Sequence, residues 1–432
     1  MVATERTARY RPTDELYLWW VSDPRQPSYV GALRYVQRTT HHPRGVSLTY
    51  GEEWLARGFP LSEDLPLRTG EYFPVVQDDA AGAVDDARPD RWGERVIRFL
   101  DKPPRLSTLE YLYFAGDDRF GALGVSVSPD QYLPRTLGPL PSVGDVATIH
   151  ELVRKVMAGE PIPANLKRLV SPGVTLGGAR PKALFTLDGR EWVVKFSDDG
   201  DPFDTPIVEH ATMTLARQAD IRTAATFAIP LAAGHAVGIL RFDRAGGRRV
   251  HALSANVALR AAASELGYPD LALLLRRRGV VELQRDHCAE LFRRMVFNIL
   301  IDNTDDHEKN HALLLRDNGQ YELSPAYDVV PSGQALGQQQ FRVGGQQAES
   351  SIENALSEVA AFGLTAAQAH AQVRHVADAV ANWKAHFAAA GVSARDIDAF
   401  AEHIDRPYLR DQREQWLTPT ARPAAKRRPR RP

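Results

Sequence analysis

Short apolar runs broken by polar punctuation fill the first part of the chain. LYLWWV (16–21), GALRYV (31–36) and VSLTY (46–50) read as strands. Ser107 and Glu110 are spaced as a capping box ahead of LEYLYFA, and Gly116 follows as a stop signal. Residues 15–130 are therefore expected to form a mixed α+β unit of short elements. LPRTLGPLPSVGD (133–145) carries three prolines and two glycines and reads as a linker. A helix is predicted directly after it, over 146–157.

The pattern changes from residue 169. VTLGGARPK (174–182) is a glycine-bearing turn. ALFTL and EWVVKF flank Asp188-Gly189, a hairpin signal. A helix over 206–219 and two apolar strands near 226–230 and 236–242 follow. Cys288, Leu291, Phe292, Met295, Val296, Ile299 and Leu300 recur at helical spacing and define one buried face of a long helix. It should stop at Asp302-Asn303-Thr304. HALLL and YEL then flank Asp317-Asn318-Gly319, a second hairpin signal. The C-terminal third reads as helical. Thr365 and Gln368 make a capping box, the pattern runs to Gly391, and Ser393 opens a shorter helix that Pro407 ends. No solenoid or propeller period is visible.

Composition narrows the class. At 432 residues the chain has room for two or three domains. Charged residues make up 25% and hydrophobic ones 44%, which excludes a chain disordered throughout, a collagen repeat and a coiled coil. The most apolar stretch, 225–240, is too short for a bilayer and contains Pro230 and His235. The N-terminal residues lack a signal-peptide pattern. The single cysteine, Cys288, leaves no internal disulfide and no zinc site built on several thiolates. A cytoplasmic location is the expectation, with no membrane. Six of the 53 basic side chains fall in the last twelve residues, which hold no acid, leaving 47 against 54 acidic. So acidic a body is unlike a nucleic-acid binder. The Pro/Arg-rich tail is expected to be disordered, able at most to make a weak phosphate or nucleic-acid contact.

The chemistry concentrates in IDNTDDHEKN (301–310), where ionisable groups crowd the end of a buried helix. Two readings compete. His307-Glu308-Lys309-Asn310-His311 matches the zinc-peptidase motif H-E-x-x-H, which requires both imidazoles on one helical face. Here the helix has ended and His311 opens a strand. The second reading is phosphoryl transfer. Asp305 to Asn310 has the D-x-x-x-x-N spacing of a kinase catalytic loop, in which Asp takes the hydroxyl proton and Asn holds Mg²⁺. Its supporting parts come in order. The glycines Gly177 and Gly178 can admit phosphates to the backbone. Lys195 on a strand can neutralise phosphate charge, Glu209 on the next helix can hold Lys195, and Asp328 can join Asn310 as a hard oxygen ligand. Bland roles stand beside these: a solvated edge lysine, a first-turn acid for Glu209, a cap for Asp328. Lys182 is open between supporting the glycine turn and facing solvent. Trp19, Trp20, Trp54, Trp92, His287 and Cys288 read as packing. Arg241-Phe242-Asp243-Arg244 reads as a salt-bridged strand end, with possible nucleotide-side contacts from Phe242. No Walker A pattern is present.

VTLGGARPKALF, EWVVKF, ILRFDR (239–244), NTDDHEKN (303–310) and SPAYDVV (324–330) together resemble the HipA-type serine/threonine kinases, toxins of bacterial HipBA toxin–antitoxin modules. YGEEWLARGFPLSEDLPL (50–67) and GDDRFGALGVS (116–126) are similar to the accessory N-terminal domain of that family. The resemblance implies an α+β, two-lobed protein-kinase-like fold with an N-terminal accessory domain and a mainly helical C-terminal lobe. The expected divisions are 1–132 accessory, 133–145 linker, 146–245 nucleotide-binding lobe, 246–417 catalytic lobe and 418–432 tail. It implies ATP and Mg²⁺ as cofactors, Asp305 as general base, Asn310 and Asp328 as metal ligands, and Thr175, Gly177, Gly178, Lys195, Glu209 and Phe242 around the nucleotide. Thr175 stands where the best-known members carry an autophosphorylated serine. The base assignment of Asp305 over Asp306 rests on the spacing to Asn310. Implied partners are an aminoacyl-tRNA synthetase as substrate and a HipB-type helix-turn-helix antitoxin, with DNA reached through the antitoxin. The alternative from another class is a catalytically silent kinase-like module in an antitoxin–DNA complex.

Overall fold

The computed structural model describes residues 10–170, 178–316 and 318–417. In the first part, β1 (Glu15–Trp20), β2 (Ser28–Val36), β3 (Gly45–Tyr50), β4 (Glu71–Tyr72) and β5 (Leu123–Ser126) form one antiparallel sheet in the order β4-β3-β2-β1-β5. Leu16, Leu18, Leu33, Val46 and Leu48 are fully buried on it. The alternation read from sequence thus marks one covered face of the sheet. Ser107 and Glu110 do form the capping box of the helix Thr108–Phe114, and Gly116, with φ 79°, turns the chain out of it. Trp19, Trp54 and Trp92 are buried, as packing requires.

The expected linker is partly tied down. Pro141 O accepts Thr186 N at 2.7 Å, and Ser142 with Asp145 caps a short turn leading into the helix Val146–Ala158.

The second sheet holds β6 (Lys182–Leu187), β7 (Arg190–Lys195), β8 (Thr226–Pro230) and β9 (His235–Leu240), in the order β6-β7-β9-β8. Asp188 and Gly189, both at positive φ, make the turn between β6 and β7, as two-residue hairpins demand. The helix Thr205–Gln218 lies against β8 and β9. A short ribbon of β10 (Arg244–Ala245) and β11 (Arg248–Arg249) leads to a third sheet of β12 (Ala252–Ser254), β13 (Ala312–Leu315) and β14 (Tyr321–Leu323). The second hairpin therefore forms, although Asp317 in its turn lies outside the described residues.

The long helix is Gln284–Leu300, and every apolar position named for its inner face is buried. Cys288 lies there too, its thiol pushed up to about 11 by burial, which makes it an inert packing group. Two C-terminal expectations are corrected. The pattern starting at Thr365 is not one helix to Gly391. It breaks at Asn382 into Ala366–Ala381 and Trp383–Ala389, so that Trp383 and Phe387 can turn into the core. Pro407 does not merely close the helix Ala394–Ile404. It sits at the first position of a further helix, Pro407–Trp416, where its missing N–H costs nothing.

Among the described residues, no helix is long and apolar enough to cross a membrane.

Candidate functional site

The site starts with a lysine that the sequence leaves ambiguous. Lys195 ends β7, pointing out of the sheet, and is 4% exposed. Its Nζ donates to Glu209 Oε1 at 2.8 Å and to Asp328 Oδ1 at 2.6 Å. Glu209, in the second turn of Thr205–Gln218, is 3% exposed. An acid held there only by the helix dipole would face water, so the bland reading of Glu209 fails. Burial by itself would depress the Lys195 ammonium, but Asp328 and Glu209 outweigh it and push it up to about 12. Burial likewise works against the Asp328 carboxylate, yet Lys195 holds it below its ordinary value. Burial raises Glu209. Asp328 has φ 58°, a left-handed conformation that Asp tolerates better than most residues.

The loop 301–311 is the second component. Asp302, at φ 59°, ends the buried helix and forms an ion pair with Arg406 at 3.1 Å. The neighbouring aspartates divide their work. Asp306 is 2% exposed, accepts the Tyr268 hydroxyl and pairs with His311 at 3.1 Å. Tyr268 OH in turn accepts from Asn298 Nδ2 at 2.9 Å. Asp305 is exposed, and Gln340 Nε2 donates to its Oδ1 at 2.6 Å. Partial burial raises the Asp305 pKa, with the Asp328 and Asp306 charges adding to the rise and His307 opposing it. A carboxylate made more basic and left open to a cleft suits proton abstraction. Asn310 is buried, and its Oδ1 has no hydrogen-bond partner among the described residues. Tyr327 OH donates to Lys309 O at 2.8 Å, tying the loop to the segment that carries Asp328.

The zinc-peptidase geometry is not formed. His307 caps a single turn of 3₁₀ helix, Glu308–Asn310. His311 is extended and committed to Asp306. Two imidazoles so placed share no helical face.

Phe242 packs edge-on to Phe120 at 5.8 Å and against Tyr327 at 5.3 Å. Its neighbours Arg241, Asp243 and Arg244 form a buried clamp. Arg241 and Arg244 each donate to Asp243 Oδ2 at 2.7 Å, Gly121 N donates to it at 2.9 Å, and both arginines reach Arg119 O. The salt-bridged strand end thus joins the second sheet to the loop before β5. Lys182 is fully buried, bonded to Asp90 and to Gly178 O, which supports the glycine turn and excludes the solvent-facing reading. Thr175 and Gly177 lie outside the described residues, as does the basic tail 418–432.

Some residues of the site give no signal in sequence. Gln340, Tyr268 and Asn256 sit in segments with no motif, and Asp86 lies in the first part of the chain. Asp86 accepts Ser254 N and Ser254 Oγ, both at 2.7 Å, beside Asp305 along one cleft. Only the packing of the first sheet's unit against the third brings them together.

Residues 174–384 match the family model of the HipA-like C-terminal domain, and residues 28–126 that of the HipA N-terminal domain. Among solved structures, the chain is similar to one in the complex of the Shewanella oneidensis MR-1 toxin–antitoxin proteins HipA and HipB with operator DNA. That likeness covers 93% of this chain and 97% of the other at 18% identity, with a TM-score of 0.64, so the two share a fold. A weaker likeness, TM-score 0.40 at 11% identity, covers 56% of this chain and 92% of the Helicobacter pylori proinflammatory kinase CtkA. A comparison with curated proteins finds no match.

Proposed function

The chain belongs to the HipA family, and from that premise we propose that it is an ATP-dependent serine/threonine protein kinase, the toxin of a toxin–antitoxin pair. The observation that carries the reading is the Lys195 ammonium held between Glu209 and Asp328. Two carboxylates round one buried lysine form a costly arrangement for a scaffold, and a useful one for binding phosphates.

Lys195 would bind the α- and β-phosphates, with Glu209 fixing its position. Asp305 would accept the proton of the acceptor hydroxyl as the oxygen bonds to the γ-phosphorus and the bond to the β-phosphate oxygen breaks, releasing ADP. Asp306 would hold the loop so that Asp305 stays in place. The donor set suits Mg²⁺: Asn310 Oδ1 lacks a partner among the described residues, and Lys195 engages Asp328 through Oδ1. Bound there, the metal would neutralise phosphate charge. Gly178 and Thr175 belong to the turn that would cover the phosphates. Thr175 is the proposed site of autophosphorylation, which mass spectrometry of the 169–182 peptide after Mg²⁺-ATP incubation tests.

The proposed protein substrate is an aminoacyl-tRNA synthetase, and the proposed partner is a HipB-type antitoxin. The test is incubation with labelled ATP and a panel of synthetases, with and without a HipB-type protein, with D305N as the control. Label on a synthetase that disappears with D305N supports the reading. Mg²⁺-dependent ATP binding without transfer to any protein would favour the silent binding module.

A further inference from the structure

A cleft of about 800 Å³ opens beside Asp305. One wall is the first part of the chain, including Val76, Asp79, Asp86 and Arg88. The other is the catalytic loop with the helix Ala255–Ala261, contributing Asn256, Arg260, Asp305 and Lys309. Gly178, at the end of the glycine turn, lies along it, whereas Lys195 and Glu209 do not. The cleft therefore meets the proposed nucleotide site at its phosphate end and extends away from it.

One group in the wall is unspent. Asn256 is 5% exposed, and its Oδ1 makes no hydrogen bond among the described residues. A buried carbonyl oxygen left so costs free energy unless a ligand satisfies it. Asn256 stands on the first turn of its helix, two residues after Ser254, and Ser254 is the residue that Asp86 grips. The first part of the chain thus fixes the helix end that presents Asn256. The charge of the lining is unbalanced as well, with seven carboxylates to four cations. One of the four cations is spent inside the wall, Arg88 on Asp85 and Asp79, while Lys182, outside the lining, neutralises Asp90 from behind.

We infer that this cleft is the acceptor site, that Asn256 takes a main-chain N–H of an extended hydroxyl-bearing peptide segment, and that the acidic lining rejects acceptors with Asp or Glu beside the hydroxyl. The inference rests on the kinase reading and adds to it that the accessory part of the chain is one wall of the acceptor site. Asn256 is then a specificity-determining residue, and Val76, exposed at the rim, borders the entry.

The test uses the full chain, Mg²⁺-ATP and two degenerate serine/threonine peptide pools, one with neutral and one with acidic residues flanking the hydroxyl. ATP binding is measured separately by calorimetry. The neutral pool should be labelled faster than the acidic pool, and the difference should shrink in high salt. N256A should raise the KM for the neutral pool about fivefold, the scale of one hydrogen bond, with little change in the KM for ATP. V76E, at a solvent-accessible rim position, should slow labelling of both pools and controls for misfolding of N256A. Equal labelling of the two pools, or an unchanged peptide KM in both variants, would overturn the inference. So would a chain that binds Mg²⁺-ATP and transfers phosphate to a protein but labels neither pool. A chain that binds no ATP overturns the kinase reading itself, and the acceptor site falls with it.

Discussion

Asp305 and Asp306 are adjacent in sequence and opposite in circumstance: Asp306 is buried between Tyr268 and His311, while Asp305 is exposed and bonded to Gln340. Spacing to Asn310 favours Asp305 as base, and burial gives an independent reason. A carboxylate with both oxygens engaged inside the protein cannot reach a substrate hydroxyl.

The pair can be separated by substitution. D305N should lower phosphoryl transfer by about two to four orders of magnitude and leave the melting temperature unchanged. D306N should instead weaken the bonds to Tyr268 and His311 and cost about 1–3 kcal/mol in urea unfolding. Loss of stability in D305N and not in D306N would reverse the assignment.

Lys195 should prove both structural and functional. K195M leaves the Glu209 and Asp328 carboxylates buried without their cation, a loss of about 3–5 kcal/mol for a broken buried pair. The double variant K195M/E209Q should recover part of that stability and none of the ATP binding. Calorimetry with ATP and denaturant titration read the two effects separately.

The Arg241–Asp243–Arg244 clamp sets a further expectation. Burial would raise the Asp243 carboxyl, but Arg241 and Arg244 dominate and hold it at about 2. An unfolded Asp titrates near ~4, so the unfolded chain binds the extra proton first. The clamp's contribution is fully present above pH ~4 and is lost as pH falls through about 2. D243N should be less stable at pH 7 and should lose less stability on acidification than the native chain.

Asp86 has the opposite sign. Burial raises it to about 6 despite the bonds from Ser254. Between pH ~4 and about 6 the folded state holds a proton that the unfolded state has released, so this group lowers stability as pH rises through that window. D86N should flatten the pH dependence of unfolding there. An unchanged slope would show that Asp86 titrates normally.

Metal dependence can be read at Asp328. D328A should weaken binding of Mg²⁺-ATP more than binding of ATP in EDTA. An equal loss in both would assign Asp328 to structure alone, through its 2.6 Å bond to Lys195.

The local elements were legible because short-range rules govern them. Asp188-Gly189 accepts positive φ at both turn positions, Ser107 and Glu110 cap one helix end, and the i, i+3, i+4 run from Cys288 can bury only as a helix. The order of Lys195, Glu209, Asp305, Asn310 and Asp328 was legible for the same reason, since each sits at a nameable position on a strand, helix or loop. What sequence left open was decided at long range. Whether Glu209 meets Lys195 or water depends on how a helix packs on β8 and β9. The helix break at Asn382 follows from turning Trp383 into the core, and no local pattern carries that demand. Lys182 owes its burial to Asp90, which is 92 residues away in the chain. Asp86 and Asn256 join the cleft of Asp305 only because the first sheet's unit docks beside the loop 301–311. Sequence by itself determined the elements and the chemical groups, because dihedral and periodic constraints act over a few residues. The tertiary structure alone decided which groups share a site, because burial and charge pairing act through space.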